Sequence, residues 1–131
     1  MSQFFAVAGA DKVDLDDLAN QLRVDIDGLP SGSPQLKAKF LNQQTGVQSY
    51  LVVVRGNEDP HTHPEGDLII SVLQGGGYVQ LLTEKVETPA ASITVIPKGV
   101  CHAYYNLSKD DSVILATFSP VNSKGDCPLI V

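Results

Sequence analysis

Three histidines, His61, His63 and His102, carry the residue type and spacing best suited to chemistry in this 131-residue chain. The first two stand one residue apart in Asp59-Pro60-His61-Thr62-His63-Pro64-Glu65-Gly66-Asp67. Positions i and i+2 of a strand face the same side, so both imidazoles can reach one point. His102 follows the turn residues Pro97 and Gly99 and opens an apolar segment. A His-x-His pair joined by a histidine from another strand offers neutral nitrogen donors to one divalent transition metal. A lone histidine would more simply be a surface or hydrogen-bonded residue, so the framework around all three decides.

That framework reads as strands. Leu36, Ala38 and Phe40 alternate with Lys37, Lys39 and Leu41, the period of a half-buried strand. Further strands are expected at Ser49–Arg55, Leu68–Leu73, Tyr78–Leu82, Ser92–Ile96, His102–Leu107 and Val113–Phe118. Gly75-Gly76-Gly77 between two of them reads as a hairpin turn. One helix is expected over Leu15–Arg23, capped by Asp14, before a loop marked by Gly28, Pro30, Gly32 and Pro34. The pattern predicts an all-β fold, a β-sandwich or an antiparallel β-barrel or double-stranded jelly roll, with a short N-terminal helix. One domain is expected over 1–131, with helix and loop in 1–34, the barrel in about 35–120 and a tail in 121–131.

Composition excludes several classes. A net charge of −6 and the absence of any consecutive Lys/Arg pair disfavour a nucleic-acid surface. No apolar run approaches the roughly 20 residues of a membrane span. The apolar start, Met1 to Ala10, lacks a basic segment and runs into Asp11 and Asp14, a poor secretory signal. A cytoplasmic location is expected, and with it reduced thiols at Cys101 and Cys127. Gly-x-Ser-x-Gly is absent, and Ser31-Gly32-Ser33 has no histidine nearby, so a serine hydrolase has little support.

The histidine segments resemble the two motifs of the cupin superfamily, and the resemblance covers about residues 35 to 120. In the first motif the His61/His63 pair is present, Gly56 precedes it one residue short of the pattern, and Gly75 closes it. In the second, Pro97, Gly99, His102 and Asn106 match residue for residue, while Ala91 stands in place of the opening glycine. The family's usual fourth metal ligand is a glutamate; here Leu68 occupies that slot, with Asp67 beside it. Strand parity aims Leu68 at the cavity, and Asp67 reaches the metal only if a bulge at Gly66 turns it inward. Glu65 reads as a solvated loop residue.

The resemblance implies a three-histidine site for one metal: iron first, with zinc, nickel or copper admissible and manganese disfavoured without a carboxylate. Leu68, Gln80 and Tyr104 are candidates for the pocket wall, with Ile70 and Val72 excluding water. Tyr104 serves either as a ligand-facing hydroxyl or as a core aromatic, and Asn106 as a structural turn residue. Arg55 is a further polar candidate, Lys98 a solvated turn residue, and Cys101 should face away from His102. Three functions stay open: a three-histidine Fe(II) dioxygenase, a metal-assisted isomerase or lyase, and a non-enzymatic small-molecule sensor. A small-molecule ligand and a homodimer, paired through sheet edges or the apolar termini, complete the expectation.

Overall fold

In the computed structural model, which describes residues 13–44 and 46–127, the chain opens on helix α1 (Leu15–Asp27). The Asp14 side chain accepts the Asp17 backbone N–H and caps the helix as expected. The helix runs four residues past the expected end because Ile26 extends the buried stripe of Leu18 and Leu22 by one more turn. The apolar termini, 1–10 and 129–131, lie outside the described residues.

Eight strands follow: β1 (Leu36–Gln44), β2 (Val47–Val54), β3 (Asp67–Gln74), β4 (Gly76–Gln80), β5 (Lys85–Pro89), β6 (Ile93–Ile96), β7 (Ala103–Asn106) and β8 (Ser112–Ser119). They form a five-stranded antiparallel sheet, β1-β2-β8-β3-β6, and a three-stranded one, β5-β4-β7. The two sheets share one core without closing into a continuous barrel, the jelly-roll form of the expected fold.

The run Leu51–Val54 is apolar throughout because β2 is covered on both faces. Val54 packs with Leu68, Ile70, Val79 and Tyr104 between the sheets, while Leu51 and Val53 meet Leu18, Leu22 and Ile26 of α1 outside. The helix therefore braces the back of the large sheet, leaving its inner face to line the cavity.

Two expectations change. The Gly75–Gly77 segment does not close a hairpin: β3 belongs to the large sheet and β4 to the small one, so these glycines carry the chain between layers. Gly77 lies so close to the Tyr105 carbonyl that a Cβ there would collide with it. Strand β5 carries few strand-forming residues and ends in Pro89, and the sequence pattern passed it by. Its pairing to β4 through Val79↔Val86 supplies the order its composition lacks.

Candidate metal centre

Backbone pairing sets the histidines. His61 and His102 form an isolated antiparallel bridge, each N–H donating to the other's carbonyl at 3.0 Å. Directly opposed residues of an antiparallel pair project to the same face. His63, two residues beyond His61, joins them, and its carbonyl accepts the Gly99 N–H of the Pro97-Gly99 turn. The rings stand 4.4 to 5.0 Å apart between centroids, and the three donor nitrogens lie within 4.8 Å of one another.

Each ring is oriented by a backbone carbonyl. Nδ1 of His61 donates to Asp59 O at 2.8 Å, that of His63 to Ser123 O at 2.7 Å, and that of His102 to Val100 O at 2.9 Å. A carbonyl only accepts, so every Nδ1 bears the proton and every neutral ring keeps a lone pair on Nε2. His61 Nε2 and His63 Nε2 approach to 3.1 Å. Two lone pairs repel at that distance unless a cation lies between them. A shared proton would serve these two rings but leave the third unserved: His102 Nε2 is buried without a hydrogen-bond partner. A metal ion at the common point satisfies all three, so the donor set fits one. Two donors about 2.1 Å from an ion are at most about 4.2 Å apart, so the widest pair closes by about half an ångström on binding.

Burial keeps two of the rings neutral. It holds His102 down to about 4, against the raising effect of its hydrogen bond to Val100 O, and it also lowers His63. Deprotonated imidazoles are the form that binds metal.

The remaining candidates separate clearly. Leu68 lines the inner cavity, a space of about 180 Å³ walled also by Ile70, Ile114 and Phe118. Val72 is buried in the core and is not part of that wall. Asp67 is exposed, and its Oδ1 accepts the Lys98 N–H. No bulge turns it inward; β3 keeps regular register at Asp67↔Ser119 and Leu68↔Phe118. Gly66 instead admits the backbone of Val121, where a Cβ would collide with its carbonyl. Tyr104 forms part of the cavity wall, but its hydroxyl donates to Ser112 Oγ at 3.0 Å. Gln80 points elsewhere, its amide donating to Leu81 O and Glu84 O across the β4–β5 turn. Asn106 is a structural hub, bonded to Arg55 O, Ser108 and Ser112.

Arg55 is held by Asp27 and Asp111, which raise its pKa further, and the latter also pairs with Arg23. Arg23, Arg55 and Asp111 line a separate pocket of about 630 Å³ on the helix side, away from the three histidines. Its two arginines are paired with Asp111, whereas the smaller cavity is the one that the histidines line.

Three residues at the site escaped sequence reasoning. Glu58 lines the inner cavity and also the outer cleft, a space of about 470 Å³ that meets it at His61 and His63. Burial raises the Glu58 carboxyl, opposed by His61 and the Tyr104 N–H. Asn122 lines both spaces and has a buried Oδ1 without a partner. Ser123 supplies the carbonyl that orients His63. All three sit on irregular segments where strand parity gives no facing; the nearest signal was the position of Glu58 three residues before His61.

The tail that carries Asn122 and Ser123 is fastened at two further points. Thr62 and Gly125 form an antiparallel bridge, and Cys127 is disulfide-bonded to Cys101, Cα–Cα 5.3 Å. The expected reduced thiols are overturned: the returning tail brings the second sulfur to Cys101.

Comparison with known proteins agrees with this architecture. The cupin family matches residues 35–126. An uncharacterized protein of Aquifex aeolicus is 41% identical over 80 residues, 61% of this chain and 65% of that protein. A putative germin-like protein 2-3 of Oryza sativa subsp. japonica is 32% identical over 76 residues, 53% of this chain and 34% of its own length. The match thus spans under two thirds of either relative. KdgF from Halomonas sp. superposes with a TM-score of 0.62 at 27% identity, over 71% of this chain and 87% of that one. The polyketide cyclase RemF from Streptomyces resistomycificus shares the fold, with a TM-score of 0.63 at 16% identity, over 76% of this chain and 75% of its own. With a match that runs through both histidine segments and into the tail, the chain belongs to the cupin family.

Proposed function

We propose that His61, His63 and His102 bind one divalent transition metal and that the chain acts on a small molecule held in the apolar cavity beside it. The observation that carries this reading is the set of three Nε2 lone pairs freed by three carbonyl-bound Nδ1–H groups, with His102 Nε2 buried and unpartnered. Three protein ligands leave positions open for water or substrate, the arrangement of catalytic sites. Bound there, iron supplies a Lewis acid and a redox centre for O₂ chemistry.

An Fe(II) dioxygenase is the first reading. Leu68, Ile70, Ile114 and Phe118 exclude water around the rings, while Asn122 Oδ1 offers an acceptor to the ligand. Among the described residues no Lys or Arg lines the inner cavity, which favours a neutral, largely apolar substrate over one bound by a carboxylate or phosphate. The second reading, a metal-assisted isomerase or lyase, is favoured by Glu58, a carboxylate at the cavity wall that can hold a proton near the ion.

Elemental analysis of the purified protein beside a His61→Ala/His63→Ala variant tests the metal. We expect about one equivalent in the wild type and a loss of at least tenfold in the variant. Metal absent from the wild type, or retained equally by the variant, overturns the reading. Substrate-dependent O₂ uptake with Fe(II) and none with zinc separates the oxygenase from the Lewis-acid enzyme.

We also propose a homodimer, supported by the edge strand β6, where Ile93 and Val95 are 71% and 60% exposed. A cytoplasmic location is kept as a proposal, and the Cys101–Cys127 pair tests it. Cytosolic glutathione would hold the two thiols reduced, so alkylation and mass spectrometry of unfractionated cells reads the compartment.

A further inference from the structure

The position that the family reserves for a ligating glutamate holds Leu68, an apolar side chain in the cavity wall, and the neighbouring Asp67 is turned to the Lys98 N–H outside. Among the described residues lining the inner cavity, one side chain is a carboxylate, and it comes from the other side of the histidine pair. Glu58 sits three residues before His61, in the irregular segment that leaves β2. Its backbone N–H donates to Tyr104 O at 2.9 Å, and its Oε1 accepts the Tyr104 N–H at 3.0 Å. Both ends of the residue are therefore docked on the strand that follows His102. One oxygen of the carboxylate is fixed by that bond, which directs the other, Oε2, to within 3.8 Å of His61 Nε2.

We propose that Glu58 Oε2 is the fourth protein ligand of the metal, supplying from upstream of His61 the carboxylate that position 68 lacks. Two donors of one ion stand at most about 4.2 Å apart when each is about 2.1 Å from it. The 3.8 Å between Glu58 Oε2 and His61 Nε2 lies inside that limit, as does the 3.1 Å between His61 and His63. The carboxylate also answers a charge problem. A divalent ion held by three neutral imidazoles in an apolar pocket keeps its full charge in a medium that solvates charge poorly, and one anionic ligand halves it. Carboxylate donors suit harder ions, so the site accepts Mn(II) as well as Fe(II). The inference rests on the three-histidine reading and extends it to the metal's identity and charge.

The test is a pair of dissociation constants, for Mn(II) and for Zn(II), each measured by competition with a chromophoric chelator on wild type and Glu58→Gln. Glutamine keeps an acceptor for the Tyr104 N–H and nearly the same volume, and equal thermal unfolding of the two metal-free proteins confirms that the segment stays folded. Loss of a direct carboxylate ligand weakens Mn(II) at least tenfold more than Zn(II), because imidazoles alone hold zinc well. A residue with a merely structural part would weaken both ions equally. An unchanged ratio of the two constants overturns the assignment of Glu58 while leaving the three-histidine site standing. A wild type that binds neither ion overturns both. Glu58→Asp, too short by one methylene to keep the Tyr104 bond and reach the ion together, should behave like Glu58→Gln.

Discussion

At His102 a fully buried ring with an orphaned Nε2 sets how the metal-free protein answers acid. Burial holds this group down to about 4 and also lowers His63, whereas an unfolded histidine takes up its proton near pH 6.5. Through that window the unfolded chain binds protons that the folded chain refuses, so stability is intact above pH 6.5 and falls as the pH drops. His102 alone removes up to about 3 kcal/mol by pH 4. Glu58 acts in the opposite sense: its raised carboxyl keeps a proton in the folded state that the unfolded state has lost, which favours folding as the pH falls. Denaturant titrations of the metal-free Glu58→Gln variant at pH 7 and 4.5 isolate the histidines, and we expect lower stability at the acid end. A flat profile would mean that the rings are hydrated. The histidines themselves were legible in the sequence, because spacing of two and a turn-to-strand motif survive translation into geometry. Glu58, Asn122 and Ser123 were not, since each reaches the site from backbone that has no repeating period.

Among the elements, the tail after β8 does the most for its size. Through Ser123 it orients His63, through Asn122 it walls the cavity, and through Gly125 and Cys127 it is fastened beside both histidine segments. Groups that orient a metal-bound histidine typically account for 10–100-fold in affinity. Cys127→Ser frees one end of this segment while leaving its hydrogen bonds available, so we expect Zn(II) affinity to fall about tenfold, the low end of that range. Chelator competition measures it, and unchanged affinity would show that the Ser123 and Gly125 contacts hold the segment unaided. Sequence patterning found the apolar strands well because β2, β3 and β8 carry their own β-branched and apolar runs. It failed at β5 and at the three glycines, where order comes from neighbours rather than from local propensity. Ala91 is a related case: it stands in the motif's glycine slot and adopts φ 66°, a left-handed value that the missing glycine would take without strain.

For the whole molecule, the outer edge of β6 is the exposed feature that two copies would share. Ile93 and Val95 stand on an edge whose backbone groups are open on one side, and an apolar open edge invites pairing. Light scattering of the wild type should give twice the chain mass, and Ile93→Lys/Val95→Lys should halve it. A monomeric wild type, or a variant that still pairs, would place the contact elsewhere or remove it. The all-β class was readable because strand period and turn spacing are local. The Cys101–Cys127 partnership was not, because 26 residues of intervening chain must fold before the sulfurs meet.

That partnership constrains how an iron in this site can be kept ferrous. Thiol reagents, the common protectants of Fe(II) against air, attack disulfides, and here they would release the segment whose Ser123 carbonyl orients His63. The same reagents are also sulfur ligands that compete for open metal positions. Ascorbate reduces ferric iron without opening disulfides, so iron loaded under ascorbate and iron loaded under a dithiol should differ in how tightly they are held. Any oxygenase activity should follow the first preparation.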